Sequence, residues 1–483
     1  VNGHVSNTLS LADNGNAFYG GSSTGEITNG VETLIKKYKI GASYTDKGVT
    51  AGSATGKISA GTAQYAVKLT VSPAVSSDKY REGDVAIDGS VFLGSSGGEI
   101  NGDVYALIKG GNNVRSGNAA RHLVLGNAKT TAAINGSVTC DMQGGFYGSV
   151  VYLGNRTADG TNTNGVSGNV TFNLTGGHIG SVSKPFSAGG ATVNINPSVR
   201  GIIINGTVGG KTAGYTVNYK AGGKSITSTG AASGTAIYFD SVDLSENKAI
   251  FTHYSNWSAG RIYYTMPTGT PRDRITVTNS QSAPTGGWAL CDNGSNLLLV
   301  GTSGSLDSYS ATFTLDEALT ANILVDADGA VSELISAAGR CSYSYTFMGK
   351  TVNGYFDKDT ATHTVDGVTY YEISFGVPTG KFGETVIFTC DAGVTKNISV
   401  DSILAAGEKQ YGSDKNVSAL FKSVRNYGAE AAAVFYGGEA PAVDYTDTDA
   451  LIGKYSSSPA VEKKTYLKGM NLLLKDKVSV QLY

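Results

Sequence analysis

Three stretches in the first half of the chain repeat one design. Ile-Asp-Gly-Ser-Val at 87–91 is followed by Gly97-Gly98 and by Ile-Asn-Gly-Asp-Val at 100–104. The order returns as Ile-Asn-Gly-Ser-Val at 134–138, Gly144-Gly145 and Phe-Tyr-Gly-Ser-Val at 146–150. It returns again as Val-Ser-Gly-Asn-Val at 166–170, Gly176-Gly177 and Ile179 to Val182. Each copy reads as two short strands around a glycine turn. The segment Val170 to Leu174 alternates: Val170, Phe172 and Leu174 share one side, Thr171 and Asn173 the other. One such strand cannot bury its apolar side alone, but a copy stacked about 4.8 Å away can. Repetition on this scale predicts stacking, and with it a right-handed parallel β-solenoid.

The pattern begins with Val1 to Val5, and Ile204 to Val208 is its last clear match. Thr24-Gly25-Glu26-Ile27 and Thr55-Gly56-Lys57-Ile58 read as one position in two coils. Residues 1–215 are therefore assigned to the solenoid. Residues 216–305 keep strand character without the motif and are read as its end, a cap or a small β-sandwich.

Composition narrows the partners. Charged residues are 16% of the chain and the net charge is −2, so overall charge attracts neither nucleic acid nor anionic lipid. No apolar run is long enough for a membrane span. The chain starts at Val1 without Met, as a mature or trimmed fragment would. Ser, Thr, Asn and Gly must cover the surface, which suits an extracellular protein. The four cysteines, Cys140, Cys291, Cys341 and Cys390, form no CxxC pair. Cys341 and Cys390 fall near the ends of one β unit; a disulfide fits there, and buried free thiols are favoured.

Residues 306–440 change character. Strands are predicted at 311–315, 321–325 and 385–389, and a hairpin is predicted around Asp366-Gly367. A short helix is predicted at about 400–406. A second begins at Asn416, with Leu420, Phe421, Val424, Tyr427, Ala431, Val434 and Phe435 on its apolar face and Gly437-Gly438 as its stop. The unit reads as a β-sandwich with a C-terminal helical hairpin. A linker at 441–465 follows. Residues 466–483 parallel 311–324, so they read as the first strand or strands of a second sandwich copy. Leu472, Leu474, Val478, Val480 and Leu482 form a candidate assembly strand, able to pair within this molecule or with another.

Two of these regions resemble large secreted, glycine-rich, adhesin-like surface proteins of gut Firmicutes, chiefly Clostridia. The shared motifs are GNVTFNLTGGHIGSV at 168–182, ATFTLDEALTANILV at 311–325 and NYGAEAAAVF at 426–435. The resemblance covers most of 85–210 and 306–440. It implies a bacterial cell-surface location, a structural or adhesive task, and no catalytic residues. No LPxTG signal or S-layer anchor is visible, which leaves the mode of attachment open.

The chemistry-bearing residues support the same expectation. Asp88, Glu99, Asp103, Asp141 and Asp159, with Arg115, Arg121, Arg156 and Arg200, are the charged groups a solenoid lyase or glycosidase would need to cluster. Asp88 and Asp103 occupy turn positions that Asn or Ser fill elsewhere, which points to turn chemistry. The histidines, His4, His122, His178, His253 and His363, show no ligand spacing. Asp326-Ala-Asp-Gly329 starts like a calcium loop but lacks the downstream Glu, and reads as a turn. Asp444, Asp447 and Asp449 read as a solvated linker. No catalytic, metal or cofactor site is expected. Tyr263, Tyr264, Tyr370 and Tyr371 are candidate glycan-contact aromatics, and Tyr147 and Tyr152 are weaker ones. The leading expectation is a non-enzymatic surface protein, adhesin or filament subunit, with partners among its own copies, host or cell-surface glycans, or proteins. A solenoid carbohydrate-active enzyme and a glycan-binding module are the alternatives.

Overall fold

A computed structural model describes residues 3–10, 13–14, 17–36, 39–40, 48–73, 89–112, 122–128, 132–156, 165–186, 190–195, 202–204, 215–220, 225–228, 236–245, 248–253, 257–279, 282–307, 309–315, 319–365, 367–393, 395–437, 439, 442, 470–474 and 478–482. The chain is mainly β and falls into two compact units. One comprises Val1–Ala283 with Gly294–Leu299, the other Pro284–Asn293 with Val300–Tyr483.

The first unit is built of parallel ladders. Its main ladder runs through Val5–Leu9, Val31–Ile35, Val67–Val71, Val104–Asn112, Val138–Gly154, Val170–Leu174, Ala191–Ile195, Tyr215–Lys220 and Ser241–Asp243. Register is kept across the stack: Val31, Val67, Val104, Val138 and Val170 pair in series. All five are at most 1% exposed. Each such buried side chain contributes about 1.5–3 kcal/mol as an upper bound. The alternation expected at 170–174 holds: Val170, Phe172 and Leu174 are buried, whereas Thr171 and Asn173 are half-exposed.

A second ladder joins Phe18–Tyr19, Gly48–Thr50, Ser90–Phe92, Leu123–Val124 and the far half of the long strand Val138–Gly154. A third joins Ile58–Ser59, Ile100–Asn101 and Ile134–Asn135. The match of Ile27 with Ile58 is a parallel bridge, as the two T-G-x-I segments predict.

The structure corrects the registration of the first repeat. Val138 pairs with Val170, so the copies beginning at 134 and 166 are equivalent. The segment 87–91 is not their equivalent: Val91 pairs with Leu123, on the second ladder, while Val104 pairs with Val138. The Gly pairs follow suit. Gly145 and Gly177 stack in one corner with Gly111, all three at positive φ (99°, 95° and 93°). A Cβ on Gly177 would lie 2.8 Å from the carbonyl of Gly145, so glycine is required there. Gly98 belongs to another corner, over Gly56. Both ladders start strands with the same Asx-Gly-Ser-Val chemistry, so local similarity alone cannot say which ladder a segment joins. The parallel pairing continues past 215 as far as Asn279: Asn218 pairs with both Asn194 and Ser241, and Ala249–His253 pairs with Ile275–Asn279, whereas Pro284–Asn293 and residues 300–305 belong to the second unit. The inner side there is aromatic, with Tyr219, Phe239, Phe251 and Tyr264 in successive ring contact at 5.3, 6.4 and 4.3 Å.

The second unit has two antiparallel sheets. One orders His363–Val365, Val368–Gly376, Leu319–Asp326, Tyr309–Leu315, Met470–Leu474 and Val478–Leu482. The other orders Lys350–Phe356, Cys341–Phe347, Val386–Cys390 and Lys396–Ile398. Rings from the two sheets meet, Tyr345 with Phe375 at 5.0 Å and Phe356 with Tyr371 at 4.6 Å. Helices α2 (Val400–Gln410) and α3 (Lys415–Tyr436) pack together as the expected hairpin. Ser399 caps α2 through a capping box, and Asp414 caps α3. The apolar face assigned to α3 is partly corrected. Phe421, Val424 and Ala431 are buried, but Tyr427, Val434 and Phe435 are 54%, 77% and 66% exposed. The reason is Gly428: the Phe382 ring occupies the space of its missing Cβ, so α3 approaches the sheets through small residues. Helix α1 (Ala330–Ala338) was not expected. Its signal was Ala330, Val331 and Leu334, all buried. The Asp326–Gly329 segment that precedes it is a turn, Asp326 Oδ1 accepting from the Asp328 N–H at 2.9 Å.

The C-terminal parallel is real at the level of hairpins. Leu315 pairs with Leu319 in one and Leu474 with Val478 in the other. The reading of 470–482 as the start of a separate sandwich is corrected, because this hairpin extends the first sheet through Thr314↔Leu473 and Leu315↔Leu472. The strand carrying Leu472 and Leu474 thus finds its partner in its own chain, and the strand carrying Val478, Val480 and Leu482 forms the sheet edge. Of the expected linker at 441–465, all but Ala442 lies outside the described residues. No described helix is long and apolar enough to cross a membrane.

Candidate ligand-binding face

Parallel stacking turns a sequence pattern into a row. Thr-x-Asp/Asn occurs at 139–141, 171–173, 192–194 and 216–218. Pairing in register places Thr139, Thr171, Thr192 and Thr216 in one row and Asp141, Asn173, Asn194 and Asn218 in a second. Ser241 extends the second row.

The second row is a continuous hydrogen-bonded ladder. Asn173 donates through Nδ2 to Asp141 Oδ1 at 2.7 Å, Asn194 to Asn173 Oδ1 at 2.7 Å, and Asn218 to Asn194 Oδ1 at 2.8 Å. The Ser241 hydroxyl donates to Asn218 Oδ1 at 2.6 Å. From the other side the Tyr105 hydroxyl donates to Asp141 Oδ2 at 2.7 Å. Every amide dipole points the same way, its positive N–H end toward Asp141, an arrangement that strengthens each bond. Burial, then the hydrogen bond and charge of Asp141, push the Tyr105 phenol well up. Asn173, Asn194 and Asn218 each spend one N–H and one carbonyl lone pair within the row, so by valence each retains a second N–H beyond it.

A groove of about 570 Å³ runs beside the ladder, lined by Asp141, Asn173, Asn194, Asn218, Lys220 and Asp243 among others. That volume lies within the range of small-ligand sites. Lys220 and Asp243 approach to 3.9 Å. The Ser245 hydroxyl and backbone N–H, and then Lys220, hold the Asp243 carboxyl below the usual carboxylate range. The groove is therefore neutral along its middle, with the Asp141 carboxylate toward one end and the Lys220–Asp243 pair toward the other.

A second ladder is structural. Ser53, Ser95, Asn127 and Asn155 are fully buried at one corner. The N–H groups of Ser22, Ser53, Ser95 and Asn127 each donate to the side chain one rung on, at 3.0, 3.1, 2.7 and 2.7 Å. It satisfies corner amides that would otherwise be buried without partners. Its signal was Gly-Ser or Gly-Asn at 21–22, 52–53, 94–95, 126–127 and 154–155, which the sequence reading missed.

The expected site residues fare differently. Tyr263, Tyr264 and Tyr371 are only 3%, 2% and 7% exposed, and Tyr147 only 1%, so they offer no flat face to a sugar. Tyr264 stacks on Phe251 and Tyr371 on Phe356, whereas Tyr263, on the opposite side of its strand, is covered by Arg261 at 5.2 Å from its ring centre and accepts from the Ser258 N–H at 2.7 Å. Tyr370 is half-buried beside His363. Asp103 accepts from the Ser137 N–H at 2.7 Å, a bond between adjacent coils and not within a local turn. Asp141, by contrast, sits mid-strand in the ladder. Glu99 accepts from Asn135 at 3.0 Å. Arg156 lies 5.7 Å from the Tyr152 ring centre. Asp88, Arg115, Arg121, Asp159, Arg200, Asp444, Asp447 and Asp449 lie outside the described residues. Among the described residues no group of His, Cys, Asp and Glu could hold a metal ion. Comparison with family models, curated proteins and solved structures finds no match to this chain.

Proposed function

We propose that this chain is an extracellular, adhesin-like protein of a bacterial cell surface. A right-handed parallel β-solenoid, formed by the first unit, presents a glycan-binding face, and the second unit is a β-sandwich module with a helical hairpin. The observation that carries the reading is the ladder from Tyr105 to Ser241 beside its groove. It repeats an amide N–H donor along a line at Asn173, Asn194 and Asn218, which suits a linear polymer with repeating hydroxyl groups. The carboxylates of Asp141 and Asp243 favour a neutral polymer over a polyanion.

A non-enzymatic role fits the same geometry. Both oxygens of Asp141 are occupied, by Asn173 and Tyr105, which leaves it poorly placed to act as acid or base. The filament alternative loses a support, since Met470–Leu474 pairs in its own chain. The test is a glycan array probed with the full chain at low and high salt. Binding to neutral polysaccharides that persists at high salt is expected. Failure to bind any neutral glycan, or release of reducing ends from one, contradicts the reading.

A further inference from the structure

Beyond the glycan face, the second unit holds two thiols placed for a covalent bond. Cys341 opens the strand Cys341–Phe347 and Cys390 closes Val386–Cys390. The two strands are antiparallel neighbours in which Tyr343 faces Cys390. Cys341 is two residues from Tyr343, so its side chain emerges on the same side of the sheet, diagonal to Cys390. The sulfurs are 3.6 Å apart, and the residues are 0% and 2% exposed. The surrounding backbone is pinned. The Asp391 carboxylate accepts from the N–H groups of Ser342 at 3.1 Å and Asp292 at 3.0 Å. Ser342 Oγ donates to the Asp292 carbonyl at 2.7 Å. The third thiol of this region, Cys291, is directed to the Arg340 carbonyl at 3.1 Å.

We propose that Cys341 and Cys390 form a disulfide when the chain folds in an oxidising compartment. Two sulfurs in van der Waals contact on one sheet face reach bonding distance with a small closing movement of the two strands, since diagonal neighbours lie about 7–8 Å apart, at the outer limit for a disulfide. The hydrogen bond with Cys390 and burial push the Cys341 thiol well up, so this thiol resists deprotonation in the folded state. Exchange therefore takes place while the sheet is still open. In that step one thiolate attacks a small-molecule disulfide such as oxidised glutathione, forming a mixed disulfide and releasing one glutathione thiolate, and the second thiolate attacks the protein sulfur of that mixed disulfide and displaces the other glutathione. The cysteines lose two protons and two electrons in total, one S–S bond forms, and two glutathione thiols are released. The bond closes a loop between residues 49 positions apart.

The test refolds the denatured, reduced full chain in a glutathione redox buffer and, in parallel, in excess reductant. Each sample is then denatured without reduction, alkylated and mapped by mass spectrometry. After oxidative refolding, two of the four cysteines are expected to escape alkylation, with a linked peptide joining Cys341 to Cys390. The oxidised protein is expected to melt about 5–10 °C above the reduced one. Cys140→Ser and Cys291→Ser should leave the link in place, and Cys341→Ser should abolish it. Alkylation of all four cysteines after oxidative refolding, or a link through Cys140 or Cys291, overturns the proposal. Because the wild-type map is read directly, a variant that fails to fold does not obscure the result.

Discussion

Asn173 donates to Asp141 across 32 positions of sequence, at 2.7 Å, and so fixes the direction of every amide in the row above it. Asp141 can only accept at neutral pH, so Asn173 must donate from its nitrogen and accept at its oxygen, and Asn194 and Asn218 must follow. One carboxylate thereby sets the pattern of donors offered to the groove.

Asn173→Asp places a second carboxylate against Asp141 with no proton between them. A loss of about 1–3 kcal/mol is expected at pH 7. It should shrink toward pH 4, where one proton can be shared, and comparison of variant and wild-type melting at both pH values reads it out. Equal losses at both would show that the direction of the row does not depend on Asp141.

At the buried corner, Asn127 accepts from the Ser95 N–H and donates to the Ala132 carbonyl at 2.8 Å. Asn127→Ala leaves a buried N–H without its partner and should cost about 2–4 kcal/mol in urea unfolding. Ser53→Ala removes a single acceptor and should cost less, about 1–2 kcal/mol.

How much of this was legible follows from the period of the signal. Alternation at 170–174, the turn at Gly367, the α2 and α3 spans and the hairpin repeat at Leu315 and Leu474 are local patterns, and each appears in the structure. The assignment of 87–91 failed because which ladder a segment joins depends on how much chain intervenes, and one strand motif serves two ladders. The site was harder still. Asn173 and Asn194 become neighbours only after stacking, so the Thr-x-Asn row is visible once Val170, Ala191 and Tyr215 are known to pair. Tyr263 and Tyr264 misled because β-propensity favours tyrosine on either side of a strand without saying what covers it; here Phe251 covers Tyr264 on one side, and Arg261 covers Tyr263 on the other.

His122 should make the first unit acid-sensitive. It is 3% exposed, and burial, then the positive Arg156, lower it from 6.5 to about 4. The folded state favours the neutral ring, so its contribution is complete above about pH 6.5 and is lost as pH falls toward 4. The effect should be about 2–3 kcal/mol. Unfolding midpoints in urea between pH 7 and 4 should fall for the wild type and fall less for His122→Gln. Parallel curves would assign the sensitivity elsewhere.

Deleting residues 466–483 should expose the edge of Tyr309–Leu315. Hydrogen exchange at Thr314 and Leu315 is expected to accelerate, with the chain unchanged in mass by light scattering. A fall from oligomer to monomer would instead restore the strand-donation reading.

The most direct measurement is calorimetric titration of wild type and an Asn194→Leu, Asn218→Leu double variant with the neutral polysaccharide that binds best on the array. Loss of binding by about 5- to 150-fold, in a variant that retains the wild-type circular dichroism spectrum, is the expected result, since each of the two lost donors removes about 0.5–1.5 kcal/mol. Unchanged affinity in the folded double variant would contradict the assignment of the ladder as the binding face.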